Sequence, residues 1–64
     1  MEARPQVGER VRFPFGLDEL EGEVYRVEGK GELTWVTIEF YLDGSSEPTL
    51  NTFLLREIRP VQAA

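Results

Sequence analysis

The feature that most constrains the fold is the segment 35–42, in which side chains of two kinds alternate residue by residue. Alternation with a period of two places successive side chains on opposite faces of a β-strand. One face receives Val36, Ile38, Phe40 and Leu42, and the other receives Trp35, Thr37, Glu39 and Tyr41. The first set is apolar and rich in β-branched and aromatic residues, so we predict a strand that turns this set toward the core. Two large aromatic side chains, Trp35 and Tyr41, are left on the outer face.

A first strand is predicted at 7–13, where apolar and charged residues also alternate. Its inward residues are Val11 and Phe13, and its outward residues are Arg10 and Arg12. Pro14 cannot donate a hydrogen bond to a β-ladder. We therefore expect the strand to fray over 13–16, with a loop at 17–21.

The second predicted strand, at 23–28, has imperfect alternation. Val24 and Val27 fall on opposite faces of a regular strand, so we expect a β-bulge between them. A glycine-containing hairpin loop at 28–32 then leads into the strand that begins at Leu33 and ends at residue 42.

The last part of the chain predicts two short strands and one turn of helix. A strand at 49–52 returns antiparallel to the preceding one. The period-two pattern breaks over 53–58, where Asn51 or Thr52 could cap a single helical or 3₁₀ turn. A final strand is expected at 58–61.

Five short strands with a turn of helix before the last predict an all-β fold, a small five-stranded SH3-like barrel, because closure removes exposed sheet edges. A partly open OB-type barrel and a meander completed by dimerisation are the alternatives. We expect one domain over residues 1–64, with its core at about 7–61.

Composition excludes most catalytic machinery. The chain of 64 residues has no His and no Cys, which removes Ser-His and Cys-His nucleophiles and the usual ligands of zinc, haem and iron–sulfur clusters. Carboxylate chemistry remains, but it needs a cleft that a small barrel has little room to provide. We expect a protein that is not an enzyme, with no catalytic residue, metal, cofactor or small-molecule substrate.

Charge and hydropathy further narrow the class of partner. A net charge of −5 disfavours sequence-independent binding of nucleic acid, which depends on Lys and Arg. No apolar run approaches the roughly 18 residues that cross a membrane, and the first residues lack the apolar core of a signal peptide. We expect a cytoplasmic protein that does not bind membranes.

The pattern of glycines and core residues resembles a known family. Gly8-x-x-Val11-Arg12, Gly22-x-Val24, Val36-x-Ile38-x-Phe40 and Asn51-Thr52-Phe53 followed by Glu57-Ile58 resemble the small SH3-like accessory subunits of photosynthetic electron transport, and also short bacterial SH3-like proteins. The resemblance spans about residues 7 to 61. It implies a cofactor-free, non-catalytic barrel that binds a protein partner or steadies an assembly. Some of these subunits dock ferredoxin, but ferredoxin is acidic and so is this chain, so we do not expect that partner.

The predicted binding residues are aromatic and basic. Trp35 and Tyr41 come first, because exposed aromatics with a polar group contribute much of the binding energy of protein interfaces. Phe15, Arg10 and Arg12 complete the set. The alternative for the aromatics is packing beneath a loop or a terminal segment, as in a small domain nearly every aromatic is needed for the core. The expected partner is another protein or a second copy of the chain.

Two charged clusters have competing interpretations. Asp18, Glu19, Glu21 and Glu23 could attract a cation or a basic peptide, but their spacing is not that of an EF-hand, so we favour a solvated loop. Arg10, Arg12, Arg56 and Arg59 could form a basic stripe that binds RNA, which is the alternative function. We favour cross-strand pairing of these arginines with Glu9, Glu57 or Glu23.

Overall fold

The computed structural model describes residues 4–61, so residues 1–3 and 62–64 of the predicted domain lie outside the described part. The elements are β1 (Arg10–Phe15), β2 (Asp18–Glu28), a first 3₁₀ turn (Gly31–Leu33), β3 (Trp35–Phe40), β4 (Thr49–Leu54), a second 3₁₀ turn (Leu55–Glu57) and β5 (Arg59–Pro60). The strands form one antiparallel sheet in the order β4-β3-β2-β1-β5. The predicted all-β class, the five strands and the turn before the last strand are confirmed.

β3 provides the centre of the core. Val36 and Ile38 are fully buried and Phe40 is 2% exposed, as the alternation predicts. Val11, Phe13 and Val24 complete the buried cluster. The prediction for Leu42 is wrong, because β3 ends at Phe40 and Leu42 is exposed in the following turn, where its carbonyl accepts a hydrogen bond from the Ser45 N–H.

The connection between β1 and β2 is a tight hairpin, and the predicted frayed end and loop are wrong. β1 continues through Pro14 to Phe15, and β2 begins at Asp18 rather than at residue 23. Gly16 has φ of +64° and Leu17 has a negative φ, the signs of a type II′ turn. The pair that flanks a two-residue turn is hydrogen-bonded, so the next pair is not. Pro14 lies in that next pair, opposite Glu19, where its missing N–H costs the β1–β2 ladder nothing.

β2 is long enough to pair with two neighbouring strands. Residues 18–23 pair with β1 and residues 23–28 pair with β3. The register shifts between Val24 and Arg26, which confirms the predicted bulge and turns both Val24 and Val27 toward the core. Gly22 lies just before the bulge, where a Cβ would be 2.6 Å from Ile38 Cγ2. The bend in β2 therefore depends on a residue without a side chain.

The sheet is curled but not closed. The rings of Phe13 on β1 and Phe53 on β4 have centroids 5.3 Å apart, although two strands separate β1 from β4 in the sheet. In residues 4–61 no ladder joins β4 to β5. The structure thus confirms a five-stranded antiparallel β fold. Closure of the sheet into an SH3-like barrel stays a prediction.

At each 3₁₀ turn one side chain forms a hydrogen bond with the backbone. The buried Thr34 donates its hydroxyl to the Gly31 carbonyl at 2.9 Å, so β3 begins at Trp35 and not at Leu33. The Glu57 carboxylate accepts a hydrogen bond from the Leu54 N–H at 2.9 Å. The predicted cap by Asn51 or Thr52 is therefore wrong. Within the described part of the chain, no helix is long and apolar enough to cross a membrane.

Candidate interaction surface

The outer face of β3 and β4 carries large apolar side chains. Trp35 lies opposite Leu54, Thr37 opposite Thr52, and Glu39 opposite Leu50. Trp35 is 44% exposed and Leu50 is 47% exposed, while Leu54 is half-buried. We call this set of Trp35, Thr37, Leu50, Thr52 and Leu54 the outer patch. The Thr37 and Thr52 hydroxyls share a hydrogen bond of 2.9 Å at its centre.

Trp35 and Tyr41 are both exposed, so neither packs beneath another segment of the described chain. They do not form one patch, however. Trp35 begins β3 and Tyr41 follows its end, and six residues of extended chain separate them by about 20 Å. The outer patch includes Trp35, and Tyr41 lies beyond its far end.

Tyr25 adds an aromatic side chain on β2, which the sequence analysis missed. The bulge sets both Tyr25 and Arg26 against Thr37 of β3, and Tyr25 is 48% exposed. The Arg26 guanidinium lies 6.0 Å from the centre of the Tyr25 ring, within the range of a cation–π contact. Because Val24 is buried, simple alternation from Val24 is a signal that places Tyr25 on the outer face.

Polarity changes across this face from β4 to β2. The β2 side carries charge: Arg26 and Glu28 are 3.7 Å apart, and Glu28 lies opposite Trp35. The β4 side carries Leu50 and Leu54. Apolar contact area bordered by charged residues is the usual anatomy of a protein interface. Here the apolar residues extend to β4 at the free edge of the sheet, and the charged residues lie on β2, on the side away from that edge.

Phe15 belongs to the core face rather than to the outer patch. Its side chain continues the inward series of Val11 and Phe13, and its ring meets the Phe40 ring edge-on with centroids 5.7 Å apart. Phe15 is still 39% exposed, since it covers the end of the core beside the hairpin turn. The structure therefore separates Phe15 from Trp35.

Arg10 and Arg12 share one carboxylate. Arg10 Nη2 lies 3.4 Å from Glu21 Oε1, and Arg12 Nε lies 3.3 Å from Glu21 Oε2. The expectation that these arginines pair across strands is confirmed, but the predicted partners Glu9, Glu57 and Glu23 are wrong. In antiparallel strands directly opposite residues share a face, and Arg12 is directly opposite Glu21.

The outer face of β1, β2 and β5 is mixed in charge. Arg59 lies opposite Arg12, so three arginines share this face: Arg10, Arg12 and Arg59. Three glutamates of β2 lie on the same face: Glu19, Glu21 and Glu23. Arg56 lies apart, in the second 3₁₀ turn. A continuous basic stripe is therefore not formed.

The acidic cluster lies on a strand, so the prediction of a solvated loop is wrong, although its side chains are exposed. Asp18 faces the opposite side of the sheet from Glu19 because their positions differ by one. Among residues 4–61, no group of three or more acidic side chains is placed to hold a metal ion.

A groove of about 480 Å³ lies between the first described residues and the second 3₁₀ turn. Its lining combines apolar side chains, among them Pro5, Leu55 and Ile58, with the charged side chains of Arg4, Glu9 and Arg56. No pattern in the sequence predicts this groove.

The comparisons with known proteins add no relative: the chain matches no family model, no curated protein and no solved structure. The likeness to SH3-like accessory subunits therefore rests on the quoted residues and remains a prediction.

Proposed function

We propose that the protein is a non-catalytic, cytoplasmic interaction module of SH3-like type, which binds another protein chain through the outer patch. The sheet order β4-β3-β2-β1-β5, the 3₁₀ turn before the last strand and the curl that joins Phe13 to Phe53 support the SH3-like assignment. The function rests on one observation: Trp35 and Leu50 are almost half exposed on one face of two paired strands.

Such an arrangement favours a protein ligand for energetic reasons. Removing apolar surface from water contributes about 25 cal/mol per Å². Tryptophan is among the side chains that most often dominate binding energy at protein interfaces. Threonines at the centre of the patch and charges on β2 supply the polar contacts that orient a partner.

The test is capture of proteins by the immobilised chain from an extract of its own organism, with two patch variants and one matched control. Trp35→Ala and Leu50→Ser each remove one apolar contact from the patch. Leu17→Ser is the control, because Leu17 is fully exposed at the hairpin turn. We expect at least one protein to bind the native chain and the control about tenfold more than either patch variant, as measured by quantitative mass spectrometry.

The same variants must remain folded for this test to count. Because Trp35 is 44% exposed and does not belong to the buried cluster, Trp35→Ala should keep a cooperative thermal transition in circular dichroism. Loss of that transition would show that Trp35 stabilises the fold rather than a complex. Equal capture by all four proteins would exclude the outer patch as the binding surface.

The alternative function, binding of RNA through arginines, has less support because Arg10 and Arg12 both pair with Glu21, and Glu19 and Glu23 add negative charge to the same face. Heparin chromatography tests it. The native chain should elute at low salt, whereas retention at moderate salt would favour the nucleic-acid alternative.

A further inference from the structure

One edge of the sheet has backbone groups that face outward in a fixed pattern. β4 is the last strand on its side of the sheet. The Leu55 N–H donates to the Thr34 carbonyl at 2.9 Å, which sets the phase of the β3–β4 ladder. Residues of β4 that bond to β3 alternate with residues that face away. The backbone groups of Leu50, Thr52 and Leu54 therefore point to the open edge.

One of these three residues is already capped. The Leu54 N–H donates to Glu57 Oε1, as the ladder phase requires for a group that faces away from β3. Leu50 and Thr52 keep both an N–H and a carbonyl toward the edge. The edge therefore offers two N–H donors and two carbonyl acceptors, on residues two positions apart. An antiparallel second copy of the same strand offers the matching acceptors and donors.

The side chains of β4 leave this edge unprotected. Open edges usually carry charges, proline or a bulge that prevents pairing with another chain. None of these occurs within β4, Thr-Leu-Asn-Thr-Phe-Leu, although Pro48 and the Glu57 carboxylate that holds the Leu54 N–H lie at its two ends. The opposite edge differs, because β5 is two residues long and consists of Arg59 and Pro60.

We propose that β4 pairs with β4 of a second copy, antiparallel about a two-fold axis at Asn51. This inference goes beyond the proposed function, because edge pairing brings the outer patches of two copies side by side and leaves Trp35 uncovered. Leu50 of each copy then lies opposite Thr52 of the other, and the four outward N–H groups donate to the four outward carbonyls. Directly opposite residues share a face, and Leu50 and Thr52 both belong to the outer patch.

This register also explains where the pairing stops. The next hydrogen-bonded position sets Leu54 opposite Pro48 of the second copy. The Leu54 N–H is held by Glu57, and proline has no N–H, so neither residue has a donor left. A two-fold at Thr52 would instead set Leu50 opposite Leu54 and require its capped N–H. The register centred on Asn51 uses every available donor.

Electrostatic repulsion between two negatively charged copies does not prevent this contact. Residues 49–54 are uncharged, and Glu39 lies one strand behind Leu50. The Glu39 residues of the two copies are then three strand spacings apart, about 14 Å. That distance exceeds the Debye length of roughly 8 Å at physiological salt. Self-association should therefore strengthen when salt is raised from low to physiological concentration.

Sedimentation equilibrium over a wide concentration range tests the proposal. The native chain should show a monomer–dimer equilibrium. Thr52→Pro removes two of the four inter-copy hydrogen bonds, and Leu50→Lys places a charge at the edge. Each should weaken dimerisation by about tenfold or more. Leu33→Lys, at an exposed position in the first 3₁₀ turn, is the matched control and should dimerise like the native chain.

A monomer at every concentration would overturn the proposal, and so would a dimer that both edge variants retain. If Thr52→Pro fails to fold, Leu50→Lys decides alone, because its backbone is unchanged. Should the native chain be monomeric yet capture a protein in a Trp35-dependent way, the second copy is the wrong partner and the proposed function stands.

Disulfide trapping tests the register, because the native chain has no cysteine. Asn51→Cys places two cysteines across the axis in a non-hydrogen-bonded pair, with Cα atoms about 4.5 Å apart, within reach of a disulfide. Thr52→Cys is the control, since its two copies lie diagonally at about 7–8 Å. Mild oxidation should link Asn51→Cys at least tenfold faster than Thr52→Cys. Faster linking of Thr52→Cys would overturn the proposed pairing.

Discussion

At the scale of single residues, Gly22 occupies a point of the sheet that has no space for a side chain. It is buried, and a Cβ at this position would lie 2.6 Å from Ile38 Cγ2 and 2.7 Å from the Glu39 carbonyl oxygen. Ile38 is fully buried and the second contact is to backbone, so neither atom has space to withdraw. The glycine allows β2 and β3 to approach closely where β2 bends.

Gly22→Ala should therefore destabilise the protein by about 1–3 kcal/mol, the usual cost of overpacking a core. Urea unfolding followed by circular dichroism measures the change. Gly44→Asn is the control, because Gly44 has φ of +80° in open space and asparagine tolerates that conformation. The control should change stability by less than about 1 kcal/mol. A Gly22→Ala protein as stable as the native chain would show that β2 and β3 can separate at this point.

At the scale of elements, the β1–β2 hairpin is reinforced by the carboxylate of Glu21 between two guanidinium groups. All three side chains are 40–56% exposed, so each ion pair should contribute only about 0.2–1 kcal/mol. Glu21→Gln should lower stability by up to about 1 kcal/mol at low salt. In about 1 M salt, where the Debye length is near 3 Å, the loss should nearly vanish.

The matched control for this change is Glu19→Gln. Glu19 lies on the same strand face opposite Pro14, outside the ion pairs found among residues 4–61, and its substitution alters net charge by the same amount. Urea unfolding at both salt concentrations compares the two. If Glu19→Gln and Glu21→Gln show the same salt dependence, the effect is one of net charge and not of the Glu21 ion pairs.

The accuracy of the sequence analysis differs between elements for a physical reason. β3 and the bulge in β2 are predictable because burial on one face imposes a period of two, and the misplaced Val27 reveals the extra residue. The β1–β2 hairpin cannot be predicted in this way, because the residues around Pro14 do not show whether Pro14 occupies a hydrogen-bonded or a non-hydrogen-bonded position. That position depends on the two-residue turn at 16–17. Pro14 suggests instead that the strand ends before this turn.

The same limit applies to the candidate surface. The outward direction of Trp35 follows from local alternation, and so could that of Tyr25. That Trp35 lies on one patch with Leu50 and Leu54 depends on the β3–β4 register. This register is a long-range property that no local sequence pattern predicts. For the same reason, the sequence alone groups Tyr41 with Trp35 and Arg56 with Arg10 and Arg12, although the structure places them apart.

At the scale of the whole molecule, the curl of the sheet makes one core from five strands. Three strand spacings separate β1 from β4, so in a flat sheet residues 13 and 53 would lie at least about 14 Å apart, and farther because their partners on β2 are Leu20 and the distant Val27. Their rings are instead 5.3 Å apart. Contact between the two ends of the meander encloses Val36 and Ile38, and the stability of each strand thus depends on the others.

A double-mutant cycle between Phe13 and Phe53 tests this curl in solution. Phe13→Leu and Phe53→Leu keep apolar side chains, so the variants should fold, and the coupling energy from urea unfolding should be about 0.5–1.5 kcal/mol because the rings touch. Phe13→Leu combined with Leu50→Ala is the control, since Leu50 lies on the other face; these changes should add within about 0.5 kcal/mol. If the Phe13 and Phe53 changes are also additive, β4 does not fold over β1, and the core must be enclosed in another way.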